Sequence, residues 1–402
     1  MKYVPVQAVS VFLWGRRVGV LAHAYDAYSQ FEYDPDFRRT GLEIAPLAMP
    51  LSRALYVADE FELPRRAQFG LPGVFADSLP DSFGQRLIGK WMESHGVDLR
   101  DITPLDRLSY VGARGIGALT YEPEVRADRL PVSALNMRRL VEEARLALNA
   151  DLSKMDADDA LREIIRVGTS AGGVQAKAVV GWRRSDGSFL AGDAALPSGY
   201  EHWIVKITPD ERPYLGVAEY RTYELARACG VDISESRLYD LDGARHFMTR
   251  RFDRDGSRRH HLMTFRAMRT LPPDVSLEMN SYGQLFETIV ALGLGYDALS
   301  QMFRRMAFNV YSDETDDHSK NFSFMMKEDG VWHLAPAYDL TGVHFSDGDA
   351  AVGRWQNQHA LSVNGKFSGI TDDDLLAVAD KYAIGTAPRV LAAVHHVLDS
   401  KK

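Results

Sequence analysis

Residues 315–324 read TDDHSKNFSF. Two aspartates, a histidine, a lysine and an asparagine fall within the six residues Asp316–Asn321. The run before them, YDALSQMFRRMAFNVYS, puts Met302, Phe303, Met306, Ala307 and Val310 on one face of a helix, which is core patterning. The run after them, NFSFMM-KEDG-VWHLAPAYDL, reads as strand, Asp329-Gly330 turn and strand, with Asp339 just past the second strand. So dense a polar cluster at a helix–strand seam is either a solvated turn or a site. Asp316 precedes Asn321 by five residues, the spacing of a kinase catalytic loop, and Asp339 follows a hairpin as a kinase's metal-binding aspartate does. Asp317 stands four residues from Asn321, so Asp316 is the better catalytic candidate and Asp317 a supporting residue. A calcium loop starting at Asp313 would need glycine at its sixth position and glutamate at its twelfth, and has neither. His318 has no second histidine at ligand spacing, which favours a loop-ordering hydrogen bond.

Working upstream, VGTSAGGVQAKAVVGW (167–182) is a glycine-rich turn entering a strand. HWIVKI carries Lys206 in a short buried strand, and GVAEYRTYELARACG is a helix with Glu219 in its first turns. Each of these alone is more often structural than functional. As an ordered set they match what transfer of a γ-phosphoryl group from ATP requires, which is mostly charge management. Backbone N–H groups of a glycine-rich turn hold phosphate oxygens. A lysine neutralises the phosphates, and a helix glutamate aims it. One aspartate takes or orients the acceptor proton. An asparagine and a second aspartate offer the oxygen ligands Mg²⁺ prefers. No GxxxxGK[ST] occurs, so this is not P-loop chemistry.

Composition sets the frame. The chain has 402 residues, 46% hydrophobic and 25% charged, ordinary for a globular protein long enough for more than one domain. A formal charge of −8 argues against broad nucleic-acid binding. The single cysteine, Cys229, excludes a disulfide framework and reads as a small buried residue. The amino terminus reads as a strand rather than a signal peptide, and no run of about 18 apolar residues predicts a membrane span. A cytoplasmic location is expected.

Residues 1–125 are rich in short alternating runs, with WGRRVGVL a candidate hairpin. A helix is expected to start between Ser78 and Asp81, with Pro80 in its first turn, and to stop at Gly96. VGARGIGALTYEPE lacks GxGxxG spacing and leads into a strand, so its glycines read as a turn or bulge. SALNMRRLVEEARLAL is an amphipathic helix, and a domain boundary is expected at about 125–150. RRSDGSF and RLYDLDGARHFMTRRFDR supply two hairpins.

GTSAGGVQAKAVV, HWIVKI, AEYRTYELARACG, RRFDR, FNVYSDETDDHSKNFSF and LAPAYDL resemble, in order, the motifs of HipA-type serine/threonine kinases, the toxin halves of bacterial toxin–antitoxin modules. FADSLPDSFGQRL and VGARGIGALTYEP resemble that family's amino-terminal domain. The resemblance implies an α+β, protein-kinase-like (phosphatidylinositol-kinase-related) two-lobed fold. It would have a β-rich amino-terminal subdomain (1–125), an N-lobe region with the glycine-rich loop and ATP lysine (126–260), and a helical C-lobe with the catalytic loop (261–402). It makes Asp316 catalytic, gives Mg²⁺ to Asn321 and Asp339, and gives ATP phosphates to Lys206, oriented by Glu219. Gly172, Gly173, Val174, Gln175, Ala176 and Lys177 would cover the phosphates. Arg250, Arg251 and Phe252 would form the hinge beside adenine, and His318, Lys320 and Tyr338 would also approach the nucleotide. Ser170 matches the serine that such kinases autophosphorylate. The implied partners are a HipB-like helix-turn-helix antitoxin, with DNA reached only through it, and an aminoacyl-tRNA synthetase substrate such as glutamyl-tRNA synthetase; no membrane is implied. Two other readings stay open: a lipid or small-molecule kinase of related fold, and a catalytically silent binding module.

Overall fold

The computed structural model describes residues 4–24, 28–58, 69–80, 82–124, 135–148, 175–191, 196–271, 280–341 and 358–400. Its fold is α+β, and among these residues no helix is long and apolar enough to cross a membrane.

Strands β1 (Ala8–Leu13), β2 (Arg16–His23), β3 (Ser29–Tyr33), β4 (Tyr56–Val57) and β5 (Leu119–Glu122) form an antiparallel sheet in the order β4-β3-β2-β1-β5. The β1–β2 hairpin expected from WGRRVGVL turns through Trp14 and Gly15, both at positive φ. A second antiparallel sheet runs β7-β6-β8-β10-β9, from β6 (Lys177–Arg183), β7 (Phe189–Ala191), β8 (Tyr200–Lys206), β9 (Ser236–Leu241) and β10 (Ala244–Arg250). Its β9–β10 turn uses Asp242 and Gly243 at φ +50° and +84°, the paired left-handed geometry of a two-residue hairpin. The short ribbon β11 (Arg254–Asp255) and β12 (Arg258–Arg259) follows. Then β13 (His261–Thr264) pairs with β14 (Ser323–Met326), which pairs with β15 (Trp332–Leu334) through the expected Asp329-Gly330 turn.

The expected amphipathic helix before residue 150 appears as Met137–Leu148. The helix expected to start between Ser78 and Asp81 runs Ser82–Ser94, so Pro80 lies before it rather than in its first turn. Pro72 instead opens a separate short helix, Gly73–Ala76.

Two apolar cores result. The larger joins the first sheet (Val11, Phe31) to Phe75, to Phe265 and Met268, and to the carboxy-terminal helices through Phe303, Met306 and Leu391. The smaller packs Ile88 and Trp91 and the Met137–Leu148 helix (Leu140, Val141) on the second sheet at Val180, Trp203 and Val205. Residues before position 125 thus contribute to both cores. Each fully buried Phe or Leu among these adds about 1.5–3 kcal/mol. Cys229 is buried, as expected.

The helix Leu215–Ala228 lies unusually close to β10. A Cβ on Gly216 would fall on the Arg245 carbonyl, so only glycine lets the helix approach this far. That closeness sets the depth at which Glu219, one turn later, meets β8.

Candidate active site

Strand β8 ends at Lys206, whose side chain is 8% exposed and donates to both Glu219 Oε1 and Asp339 Oδ1. Two successive elements and a third segment 133 residues beyond Lys206 thus converge on one ammonium. Burial alone would lower the Lys206 pKa, but Asp339 and Glu219 outweigh it and hold the group charged. Burial pushes Glu219 up to about 7 against the pull of Lys206, with the negative Asp339 adding to the rise. Asp339 is held well below the usual carboxylate range because Lys206 and Lys177 outweigh its burial. One ammonium between two carboxylates leaves the triad short of positive charge. Its second cationic neighbour is Lys177, which the β6–β8 register sets directly across from Lys206. Like charges opposite each other in a sheet repel, and the Glu219 and Asp339 carboxylates stand close enough to this pair that Lys177 acts on both.

Asp339 sits at φ +56°, in the left-handed region that aspartate tolerates better than most residues. Its approach is clamped on both sides. Ala337 N donates to Asp232 O at 2.7 Å, and the Ala337 carbonyl accepts from Ser234 N at 3.1 Å. The Tyr338 hydroxyl lies 2.6 Å from both Ser323 Oγ and Lys320 O.

The loop 312–322 is ordered from within. Asn321 Nδ2 donates to Asp316 O at 2.7 Å, which leaves its Oδ1 to offer to a cation. His318 Nδ1 accepts from Lys320 N at 3.3 Å, and its Nε2 lies 3.7 Å from Asp316 Oδ1. The Asp316 side chain is 45% exposed. Partial burial raises its carboxyl, Asp339 and Asp317 add to this, and His318 and Lys206 oppose it. Asp317 points the other way and its side chain is fully buried. It accepts from the Tyr282 hydroxyl (2.8 Å), Ala360 N (2.7 Å) and His359 Nδ1 (2.9 Å).

A cavity of about 260 Å³ opens over the triad. Its polar end carries Lys177, Lys206, Glu219, Asp339 and, from the loop, His318, Lys320 and Asn321. Tyr338 also lines it, as do Arg250, Arg251 and Phe252, the residues expected at a hinge. Arg251 is already engaged, buried and paired with Asp253 through two bonds of 2.9 and 2.8 Å. Asp316 borders an adjoining water-sized cavity with Asn321 and Asp339. Gln175 and Ala176 face elsewhere: the Gln175 amide donates to Ile207 O at 3.1 Å, and Ala176 is fully buried. Ser170, Gly172, Gly173 and Val174 lie outside the described residues.

Among the described residues no three His, Cys, Asp or Glu side chains are grouped to hold a metal by themselves. The Asn321–Asp339 pair nevertheless fits Mg²⁺, which is commonly held by one or two protein oxygens and completed by phosphates and water.

Several residues here carried no signal in the sequence. Asp77 accepts from Thr264 N (2.7 Å) and Oγ1 (3.0 Å), across 187 positions. Arg305, buried beneath the loop, donates to Ala335 O, and His359 anchors Asp317. Only pairing across the folded chain reveals them.

Residues 169–401 match the HipA-like C-terminal domain and residues 9–122 the HipA N-terminal domain. A protein of Sinorhizobium fredii provisionally named a kinase is 24% identical over 221 residues, 50% of this chain and 52% of that one. A Haemophilus influenzae protein provisionally named a kinase is 27% identical over 155 residues, 35% of this chain and 45% of that one. The chain thus spans about half the length of these curated relatives. The fold matches HipA in the Shewanella oneidensis complex of HipA, HipB and operator DNA, with a TM-score of 0.65 at 17% identity, covering 97% of this chain and 91% of that one. With the carboxy-terminal match alone spanning more than half its length, the chain belongs to the HipA family.

Proposed function

We propose that this protein is an ATP-dependent serine/threonine kinase of HipA type. The observation that carries the reading is the buried Lys206–Glu219–Asp339 triad facing the cavity into which the 316–321 loop projects. On this reading Lys206 and Lys177 take the anionic phosphates, which relieves their mutual repulsion. Glu219 keeps Lys206 aimed. Asn321 Oδ1 and Asp339 would hold Mg²⁺, which would supply charge neutralisation for the phosphates. Asp316 orients the acceptor hydroxyl and takes its proton, a role its raised pKa suits. The cavity is lined on one side by the second sheet, at Lys177, Ile204 and Lys206, and on another by His318, Lys320 and Asn321 of the loop.

By family, the protein acts in the cytoplasm as the toxin of a toxin–antitoxin pair, held by a HipB-like helix-turn-helix antitoxin that contacts DNA. The protein substrate is an aminoacyl-tRNA synthetase, and Ser170 is the autophosphorylation site. A phosphate there brings up to two negative charges beside the nucleotide phosphates and switches the enzyme off.

The test is transfer of the γ-phosphate from ATP to the protein itself and to a panel of synthetases, with wild type and Asp316→Ala side by side. Transfer by the wild type alone supports the reading. Equal signals from both proteins sink it, and phosphorylation of lipid vesicles alone would favour the lipid-kinase alternative.

A further inference from the structure

Glu219 and Asp339 reach Lys206 by separate routes, and one side chain outside the large cavity touches both. The helix Gly295–Tyr311 sets Gln301, Arg304 and Arg305 against the turn that follows Glu219's helix, Leu215–Ala228. Gln301 Oε1 accepts from Asp232 N at 3.1 Å, and its Nε2 donates to Gly230 O at 3.4 Å. Arg304 Nη1 donates to Cys229 O at 2.7 Å. The turn fits closely beneath it: Gly230 lies at φ +77°, and a Cβ there would stand 3.2 Å from Arg304 Nη1. Arg305 Nη2 donates to Asp232 O at 3.4 Å and to Ala335 O at 2.5 Å.

Asp232 and Ala335 belong to the two routes. Asp232 lies just past the end of Glu219's helix, and Ala335 just before Asp339. Their segments pair through a parallel bridge between Ile233 and Ala337, and Asp232 O accepts from Ala337 N as well as from Arg305. Arg305 also borders the water-sized cavity shared by Asp316, Asn321 and Asp339. Stability does not account for this residue. It is 3% exposed, and burial pushes its pKa down to about 10 against the pull of Asp232, so it is still charged at neutral pH. Its acceptors are carbonyls, and among the described residues its Nε and Nη1 have no hydrogen-bond partner. A buried ion so incompletely paired is often less stabilising than a well-packed apolar side chain in its place.

We propose that Arg305 is a positioning residue for phosphotransfer. Its guanidinium fastens the exit of Glu219's helix to the segment that delivers Asp339, and both to the helix Gly295–Tyr311. Glu219 and Asp339 are thereby held in one frame, and Lys206, arriving from β8, meets both carboxylates together. The placement of Asp339, and with it of Mg²⁺, then depends on a residue that touches neither nucleotide nor metal. This rests on the kinase reading above.

The test uses the full chain with Arg305→Met, Arg305→Lys and Gln301→Ala. Methionine is apolar and of similar reach, so the thermal midpoint of Arg305→Met should stay near that of wild type. Hydrogen exchange should nevertheless quicken at 230–234 and 335–339, where the paired backbone loses its fastening. In phosphotransfer assays the Mg²⁺ concentration for half-maximal turnover should rise about tenfold, the scale on which residues that support a metal's ligands act. Arg305→Lys keeps the charge but not the planar guanidinium, and should fall between Arg305→Met and wild type. Gln301→Ala removes one grip on the same turn and should give a smaller shift in the same direction; with Arg305→Lys it carries the comparison if Arg305→Met does not fold. A folded Arg305→Met whose Mg²⁺ dependence and exchange match wild type overturns the proposal. So does a variant that loses thermal stability while its Mg²⁺ dependence and turnover per folded molecule hold, since Arg305 is then structural alone. A wild type that transfers no phosphate removes the kinase reading and the positioning role with it, whatever the exchange shows.

Discussion

Asp316 and Asp317 are adjacent and identical in chemistry, yet the structure gives them opposite surroundings, and replacing each in turn separates their effects. Asp317 has a fully buried side chain that receives three donors: the Tyr282 hydroxyl, Ala360 N and His359 Nδ1. Asp317→Ala would strand all three in the core. Removing one partner of a buried charged pair typically costs about 3–5 kcal/mol, and that is the loss expected in urea unfolding at pH 6. The pH dependence has a definite sign. Burial alone would lower the His359 pKa, but the bond to Asp317 and its charge raise it above the ordinary 6.5. A raised folded-state pKa stabilises fully below the unfolded value and loses that contribution as pH rises through the folded value. The penalty of Asp317→Asn, which removes the charge but keeps the shape, should therefore be larger at pH 5.5 than at pH 8.5. Asp316→Asn should abolish phosphotransfer with little change in stability, since Asp316 is half-exposed and makes no buried side-chain bond. A loss below about 1 kcal/mol for Asp317→Ala, or the same Asp317→Asn penalty at both pH values, would refute the hub reasoning.

Lys206→Met leaves Glu219 and Asp339 facing each other without their ammonium; Mg-ATP affinity by titration should fall at least tenfold, with stability reduced by several kcal/mol. Asp339→Asn keeps a residue that tolerates φ +56° but removes the charge, so thermal stability should change less than for Asp339→Ala while Mg²⁺-dependent turnover is lost in both. Gly216→Ala forces the helix away from β10 and carries Glu219 with it. A rise in KM for ATP is expected, together with a destabilisation of about 1–3 kcal/mol in denaturant unfolding. Asp253→Asn weakens the buried bonds to Arg251, Arg254 and Gly117 N at once, and hydrogen exchange at 113–117 should accelerate first.

What the sequence made legible was local. Trp14-Gly15, Asp242-Gly243 and Asp329-Gly330 announce hairpins because each needs left-handed backbone that few residues accept. The helix before the loop was readable from its apolar face, and Asp316 and Asn321 stood out by their five-residue spacing. That the structure joins Asn321 Nδ2 to Asp316 O is a short-range bond across five residues. Partners distant in sequence left no such trace. Lys177 opposite Lys206 depends on strand register, and Asp253 with Gly117 spans 136 residues. Asp317 looked like a near-duplicate of Asp316 because its partners, Tyr282 and His359, lie 35 residues before it and 42 after. The helix onset was misread for a related reason. Pro80 is compatible with a first helical turn, yet Leu79 and Pro80 line the cavity with residues far downstream, a long-range placement that leaves no local signal.

The charge arithmetic of the triad links these long-range contacts to chemistry. Two carboxylates around one buried ammonium are a poor stabilising device, because burying three charges costs more than one shared attraction returns. The fold nevertheless enforces the arrangement three times over. Gly216 lets the glutamate's helix close onto the sheet, β8 ends at the lysine, and clamps on Ala337 and Tyr338 hold Asp339 in left-handed backbone. Strain of about 1–3 kcal/mol at such a residue persists only where its surroundings over-determine it. Two ammoniums, Lys206 and Lys177, thus stand against two carboxylates at a point that separate parts of the fold converge to fix, and Lys177 as well as Lys206 holds the Asp339 carboxyl low.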